Sequence, residues 1–164
     1  DVKMASVGNF FDEEEAIRIA QDQMDNGADV IFAVAGPAGN GALLHATQAG
    51  TWAIGVDADQ WVTVFDSGAV EGSEYLLTSA MKRVNVAVYD TIEDQVNGAF
   101  TSGTVVYQLD SDGIGLADFH EAEGSVPQSV KDKLEQVKQD IIDGKIGVFL
   151  PCVPDMIFLP MVIR

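Results

Sequence analysis

Apolar and polar positions along this chain recur in two periods, and the switches between them divide it into strand-like runs and helical segments. Residues 2–7 form a short β-prone run. Asp12 stands where an N-cap is wanted, and Glu15 three residues on completes the pattern of a capping box. Ala16, Ile17, Ala20 and Met24 then follow at helical spacing, and Asn26-Gly27 supplies a stop. Residues 28–34 are apolar enough to predict a strand covered on both faces, the mark of a parallel sheet. Residues 36–41 read as a tight glycine loop leading into a helix that ends near Gln48, with Gly50 beyond it.

A second strand is predicted over 52–56, stopping at Asp57-Ala58-Asp59, and 60–75 reads as irregular. From Thr78 the pattern predicts a long helix in which Val84, Val88, Ile92 and Val96 stand at i+4 spacing, closed by Asn97-Gly98. Residues 104–109 and 114–119 predict further strands. Pro127, just after Ser125, suits the first position of a charged helix that carries Leu134, Val137 and Ile141 and ends at Gly144. The alternation β-α-β-α-β-α-β, then a short strand and a last helix, argues for an α/β domain with a doubly wound parallel sheet and right-handed crossovers. Ligands of such sheets lie outside the carboxyl ends of the strands. That rule selects 8–12, 35–41, 57–61 and the neighbourhood of Thr78 as the segments to read for chemistry.

Charge narrows the range of partners. Nine Lys and Arg face 26 Asp and Glu, a formal net charge of −17. Such a surface repels phosphate backbones and anionic lipid, so nucleic acid and membrane-surface binding are poor readings. Cys152 is the single cysteine, which excludes an internal disulfide framework and a cysteine-based zinc site. The first residues show neither a basic nor an apolar leader region, so no signal peptide is read there. The apolar stretch 148–163 carries Pro151, Pro154, Asp155 and Pro160 and is too short to span a bilayer.

Among the selected loops, the three glycines of Gly36-Pro37-Ala38-Gly39-Asn40-Gly41 either let backbone amides approach a ligand or pack a helix onto the sheet. The spacing is neither that of a Walker loop nor that of a dinucleotide fingerprint. Asp57, at a strand end, is placed either to accept hydrogen bonds from vicinal hydroxyls of a sugar or to cap a turn. Asp59 reads first as a cap. Phe10 and Phe11, adjacent in a loop, serve as core packing or a hydrophobic staple, unless one ring is free to stack on a base. Lys82, in the first turn of the helix predicted from Thr78, works against the helix dipole and wants a compensating acid such as Asp57, or a ligand atom, unless it snorkels to solvent. His45 and His120 have no partner at metal-ligand spacing and read as structural or exposed. The sequence offers binding loops, with no catalytic constellation, metal site or cofactor motif.

Several of these stretches resemble a known family. Val7-Gly8-Asn9-Phe10-Phe11-Asp12 resembles its V-G-S-F-x-D segment, and Gly27 to Phe32 followed by Ala35 to Gly41 is similar to its GADVIF…AGGTGxG stretch. Ala53 to Gln60 resembles AIGVDxDQ, and Leu77 to Val84 resembles LTSxxKRVD. Gly113 to Ala117 and Val126-Pro127 also match, so the resemblance spans about residues 2–147. The family is that of the basic membrane proteins, or purine nucleoside receptors: substrate-binding lipoproteins of ABC importers with the two-lobed type I periplasmic-binding fold.

The resemblance implies that 1–147 is the carboxy-terminal lobe of such a protein, with 148–164 an apolar tail of unknown role. It implies a nucleoside trapped between two lobes, an ABC permease as partner, an extracytoplasmic or lipid-anchored location, and no enzymatic activity. Carried over, Phe10 is the base-stacking aromatic, Gly36 offers backbone to the ligand, Asp57 holds ribose hydroxyls and Lys82 reaches the ligand's polar edge, with Asp59 as a further candidate. Pro37-Ala38 departs from the family's Gly-Thr, which removes one amide donor and a hydroxyl, and Asn85 stands where Asp is common. The amino-terminal lobe and the lipidated cysteine of the family are not in this sequence. Two rival functions share the fold class: the ligand-sensing lobe of a transcriptional regulator, which would carry a basic helix-turn-helix, and a sugar- or nucleoside-processing α/β enzyme, which would need an acid/base or phosphate site.

Overall fold

The computed structural model describes residues 2–148. Its elements run α1 (Glu13–Asp25), β1 (Val30–Phe32), α2 (Pro37–Gln48), β2 (Trp52–Asp57), α3 (Gln60–Thr63), β3 (Leu76–Lys82), α4 (Val84–Asn97), β4 (Ile114–Leu116) and α5 (Gln128–Ile142), with 3-10 turns at Asp66–Gly68, Ser73–Tyr75 and His120–Ser125. The sheet order is β1-β2-β3-β4. β1, β2 and β3 are parallel and β4 joins antiparallel at one edge, so the α/β sheet expected from the alternation is present in mixed form.

The opening of α1 shows how the sequence sets an element. The Glu15 N–H donates to Asp12 Oδ1 at 3.0 Å, which satisfies one of the orphan donors of the first turn. Glu13, Glu14 and Glu15 crowd that same turn, where negative charge complements the helix dipole. Only half of the capping box forms, because the Glu15 carboxylate turns to Arg18 (2.6 and 2.7 Å) instead of reaching back to residue 12. Gly27 then ends the helix region at φ +85°, as the Asn-Gly signal expects.

The core is built from small side chains, so its layers sit close. Ala16 and Ala20 of α1, Ala38, Ala42, Leu43 and Ala46 of α2, and Ile31 and Ala53 of the sheet are buried together with Phe65 and Leu76. Glycines permit the tightest approaches. A Cβ at Gly39 would lie 2.7 Å from the Ala33 carbonyl oxygen, and one at Gly41 would lie 3.1 Å from Glu13 Cβ.

Several expectations are corrected. Residues 36–41 are not a loop: α2 starts at Pro37, so Gly39 and Gly41 lie inside the helix and serve its packing. The strand read over 28–34 is Val30–Phe32 and buries only Ile31. Val30 and Phe32 lie on the opposite face from Ile31 and remain more than one-third exposed. Residues 2–7 and 104–109 form no strand. A β-prone run becomes a strand only by pairing, and neither run has a partner in the sheet. The last strand is Ile114–Leu116, shorter than the 114–119 expected. Residues 60–75, read as irregular, contain α3 and two 3-10 turns.

The largest correction concerns 76–82, where a helix was expected from Thr78 and a strand is found. Ala80, Met81 and Lys82 are good helix formers, but tertiary context overrides so weak a preference. β3 lies between β2 and β4 and takes backbone partners on both sides. Helix α4 begins only at Val84, and Lys82 is the last residue of a strand rather than part of a first turn.

Candidate functional site

Because β1, β2 and β3 are parallel, their carboxyl ends share one edge of the sheet. The Gly36 turn follows β1, Asp57 ends β2 and Lys82 ends β3. Four of the five candidate residues therefore gather along this edge, because Phe10 is brought there by contact. A Cβ built on Gly36 would stand 3.3 Å from Phe10 Cδ1, so the ring covers the glycine, and the Phe10 carbonyl accepts from the Ala38 N–H at 2.9 Å. Gly36 also has φ 57° and ψ −140°, outside the regions open to other residues. Conformation and space both require glycine there.

The same contact limits what the turn offers. Pro37 has no N–H and the Ala38 N–H is used by Phe10, so the amide cradle considered for this turn is largely closed from within. What stays open is Phe10, a residue 61% exposed and able to receive a second aromatic plane. Phe11 is 82% exposed and fills no core position either, so the packing role considered for the two rings is not realised here.

Asp57 sits in a strained turn. Its φ is +69°, and the Ala58 N–H reaches back to the Val56 carbonyl at 2.8 Å, closing a three-residue turn of the rarer hand. The carboxylate projects from this turn, and its Oδ1 lies 2.7 Å from Lys82 Nζ. The pairing follows from register, since Asp57 lies opposite Met81 across the parallel ladder and Lys82 comes next. Both side chains are more than half exposed, so the ion pair adds little to stability, about 0–1 kcal/mol. Asp57 Oδ2 accepts no hydrogen bond from any described residue. An acid with one free oxygen, beside a cation, is suited to accept two vicinal hydroxyls while the lysine adds a donor.

Asp59 is placed differently. One carboxylate oxygen accepts from the Trp61 N–H at 3.2 Å as the N-cap of α3, and the other lies 2.8 Å from His120 Nε2. The His120 ring stacks on Trp61 with centroids 4.1 Å apart and planes 8° from parallel. Both oxygens are engaged and the side chain is about one-quarter exposed, which is the cap considered for it from the sequence. His120 has its structural role there, and His45 finds one against Gln21 at 2.7 Å.

A buried network beneath the edge escaped the sequence reading. Gln60 Oε1 accepts from the Val56 N–H at 2.8 Å, Gln60 Nε2 donates to Asn40 Oδ1 at 2.8 Å, and the Gln60 N–H donates to Ser79 Oγ at 3.0 Å. Four elements, α2, β2, α3 and β3, are joined through the side chain and backbone N–H of one residue that is 8% exposed. The only signal was the position of Gln60 at the end of the Ala53-to-Gln60 stretch, and a lone glutamine after a turn ordinarily faces solvent.

Fold and edge together define one lobe of the periplasmic-binding-protein type. Residues 1–148 match the family model described as ABC transporter substrate-binding protein PnrA-like, and the chain belongs to that family. It is 37% identical over 161 residues to a CD4+ T-cell-stimulating antigen of Listeria monocytogenes, covering 90% of this chain and 43% of that protein. It is 31% identical over 157 residues to the ABC transporter nucleoside-binding protein BmpA of Lactococcus lactis, again covering 90% of this chain and 43% of the relative. Among solved structures, an ABC transporter solute-binding protein from Aeropyrum pernix superposes with a TM-score of 0.68 at 27% identity, over 94% of this chain and 50% of that one. The chain thus spans less than half the length of each of these relatives.

Proposed function

We propose that residues 1–147 form the carboxy-terminal lobe of a solute-binding protein that captures purine nucleosides for an ABC importer. The ligand is held between this lobe and an amino-terminal one. The closed form docks on a membrane permease, and the protein works outside the cytoplasm, at the outer face of the membrane. The observation that carries this reading is the Asp57–Lys82 pair at the ends of two adjacent parallel strands, on the edge that also presents Phe10 over Gly36. The chemistry suits a nucleoside: an aromatic face for the base, an acid for the 2′- and 3′-hydroxyls and a cation for a polar edge of the ligand. Membership of a family of substrate-binding proteins, and the nucleoside-binding name of the Lactococcus relative, support it. Asp59 stays in the cap.

The test compares ribo- and 2′-deoxynucleosides by titration calorimetry on the protein with both lobes present. Asp57→Ala weakens ribonucleosides by about 2–4 kcal/mol, the loss expected when charged hydrogen bonds lose a partner. Deoxynucleosides start weaker and lose less. Phe10→Ala weakens both series alike, because stacking does not read the sugar. Unchanged titrations of inosine, adenosine and guanosine with folded Asp57→Ala would overturn the assignment.

A further inference from the structure

We infer that Gln60 is a positioning residue for the strand-end acid: it touches no ligand, yet it sets where the Asp57 carboxylate points. This rests on the reading of Asp57 as the acid that holds ribose. The geometry begins at Val56, the residue before Asp57. Both backbone polar groups of Val56 are taken out of an ordinary strand pattern. Its N–H donates to Gln60 Oε1 at 2.8 Å, and its carbonyl accepts from the Ala58 N–H at 2.8 Å. Between those two bonds the chain makes its positive-φ turn at Asp57. A non-glycine residue at φ 69° persists only where its surroundings over-determine the backbone.

Gln60 supplies that constraint because it is itself buried and hydrogen-bonded on three sides. Its side-chain amide is buried and held at both ends, by the Val56 N–H and by Asn40 Oδ1, while its own N–H is tied to fully buried Ser79. Ser79 lies on β3 three residues before Lys82, so one network fixes the strand carrying the acid and the strand carrying the lysine. Space is reserved for it as well. A Cβ at Gly55 would lie 2.5 Å from Gln60 Oε1 and 2.6 Å from Ser79 Oγ, so the glycine before Val56 is what admits the amide. Sites that read geometry depend on such support behind the contacting residues.

The decisive variant is Gln60→Met, which keeps the volume and removes every side-chain hydrogen bond, measured in the protein with both lobes present. Ribonucleoside affinity falls roughly 10- to 100-fold, as for a charged contact held out of place, and 2′-deoxynucleoside affinity falls much less. In an Asp57→Ala background the same change adds little, since residues acting through one another are not additive. Amide exchange at Val56 accelerates while neighbouring ladder amides keep their protection. Equal losses for the two sugar series, or losses that add to those of Asp57→Ala, would overturn the positioning role and leave Gln60 as core support alone. Unchanged Val56 exchange would overturn it without reference to any ligand. Wild-type protein that does not distinguish ribose from deoxyribose would instead remove the reading of Asp57 on which the inference rests. Should Gln60→Met fail to fold, Asn40→Ala removes only the partner of Gln60 Nε2 and carries the same comparison, with the loss again confined to the ribo series.

Discussion

Gly55 shows how one absent side chain decides a local structure. Replacing glycine by alanine within a strand ordinarily stabilises by about 0.4–1 kcal/mol through the unfolded chain. Here the added methyl would press on Gln60 Cβ at 3.1 Å as well as on the two polar atoms it meets closer. Gly55→Ala is therefore expected to destabilise by about 1–3 kcal/mol, the range for overpacking a filled interior, read from the midpoint of urea unfolding. An unchanged or raised midpoint would show that the Gln60 network yields without cost. Phe10, Gly36, Asp57 and Lys82 were singled out in the sequence by the loop rule of α/β sheets and by the family resemblance, although Lys82 was expected in a helix and is found at a strand end. Gln60 was not, since its role depends on Asn40 and Ser79, 20 and 19 residues away.

Among elements, α4 stands apart. Its apolar stripe of Val84, Val88, Ile92 and Val96 follows the predicted i+4 spacing, yet these four residues are 52–79% exposed and no residue of the helix is buried. Periodicity declares that a face is apolar, not what covers it. An uncovered stripe of this kind drives association. The double variant Val88→Lys/Ile92→Lys is expected to change the stability of the 164-residue chain by no more than about 0.5 kcal/mol per site, as for exposed positions. It should also abolish concentration-dependent association in sedimentation velocity. A strictly monomeric wild-type chain at high concentration, or a large stability loss in the variant, would contradict this account. The segment 76–82 teaches the converse lesson, because its helix-favouring composition yielded to two strand neighbours that no local window contains.

For the whole molecule the open edge is the main consequence. Asp57 and Lys82 are each more than half exposed and Phe10 is 61% exposed, so a ligand on this edge keeps much of its surface in water. Small-ligand sites normally bury most of the ligand. The 164-residue chain alone is therefore expected to bind inosine or guanosine too weakly for calorimetric detection at micromolar concentration. Micromolar binding by this chain would show that a second surface is not needed. The net charge of −17 acts at this scale too, favouring solubility and repelling anionic partners without shaping the edge.

The sequence by itself determined what local physics can determine. The Asp12 cap, the glycine stop at Gly27, a strand from Trp52 and the helical stripe through Val84, Val88, Ile92 and Val96 follow from short-range pattern and capping chemistry, and the connection rules of α/β sheets select the strand-end loops as the segments to read. The tertiary structure decided what depends on partners far along the chain. It made 76–82 a strand, left 2–7 and 104–109 unpaired, turned β4 antiparallel, and moved Lys82 from a helix start to a strand end. The Asp57–Lys82 pair spans 25 positions and exists only because β2 and β3 run parallel in one register. Pairing of strands and burial of polar groups are settled by which distant atoms meet, and that information is not held in any single window of residues.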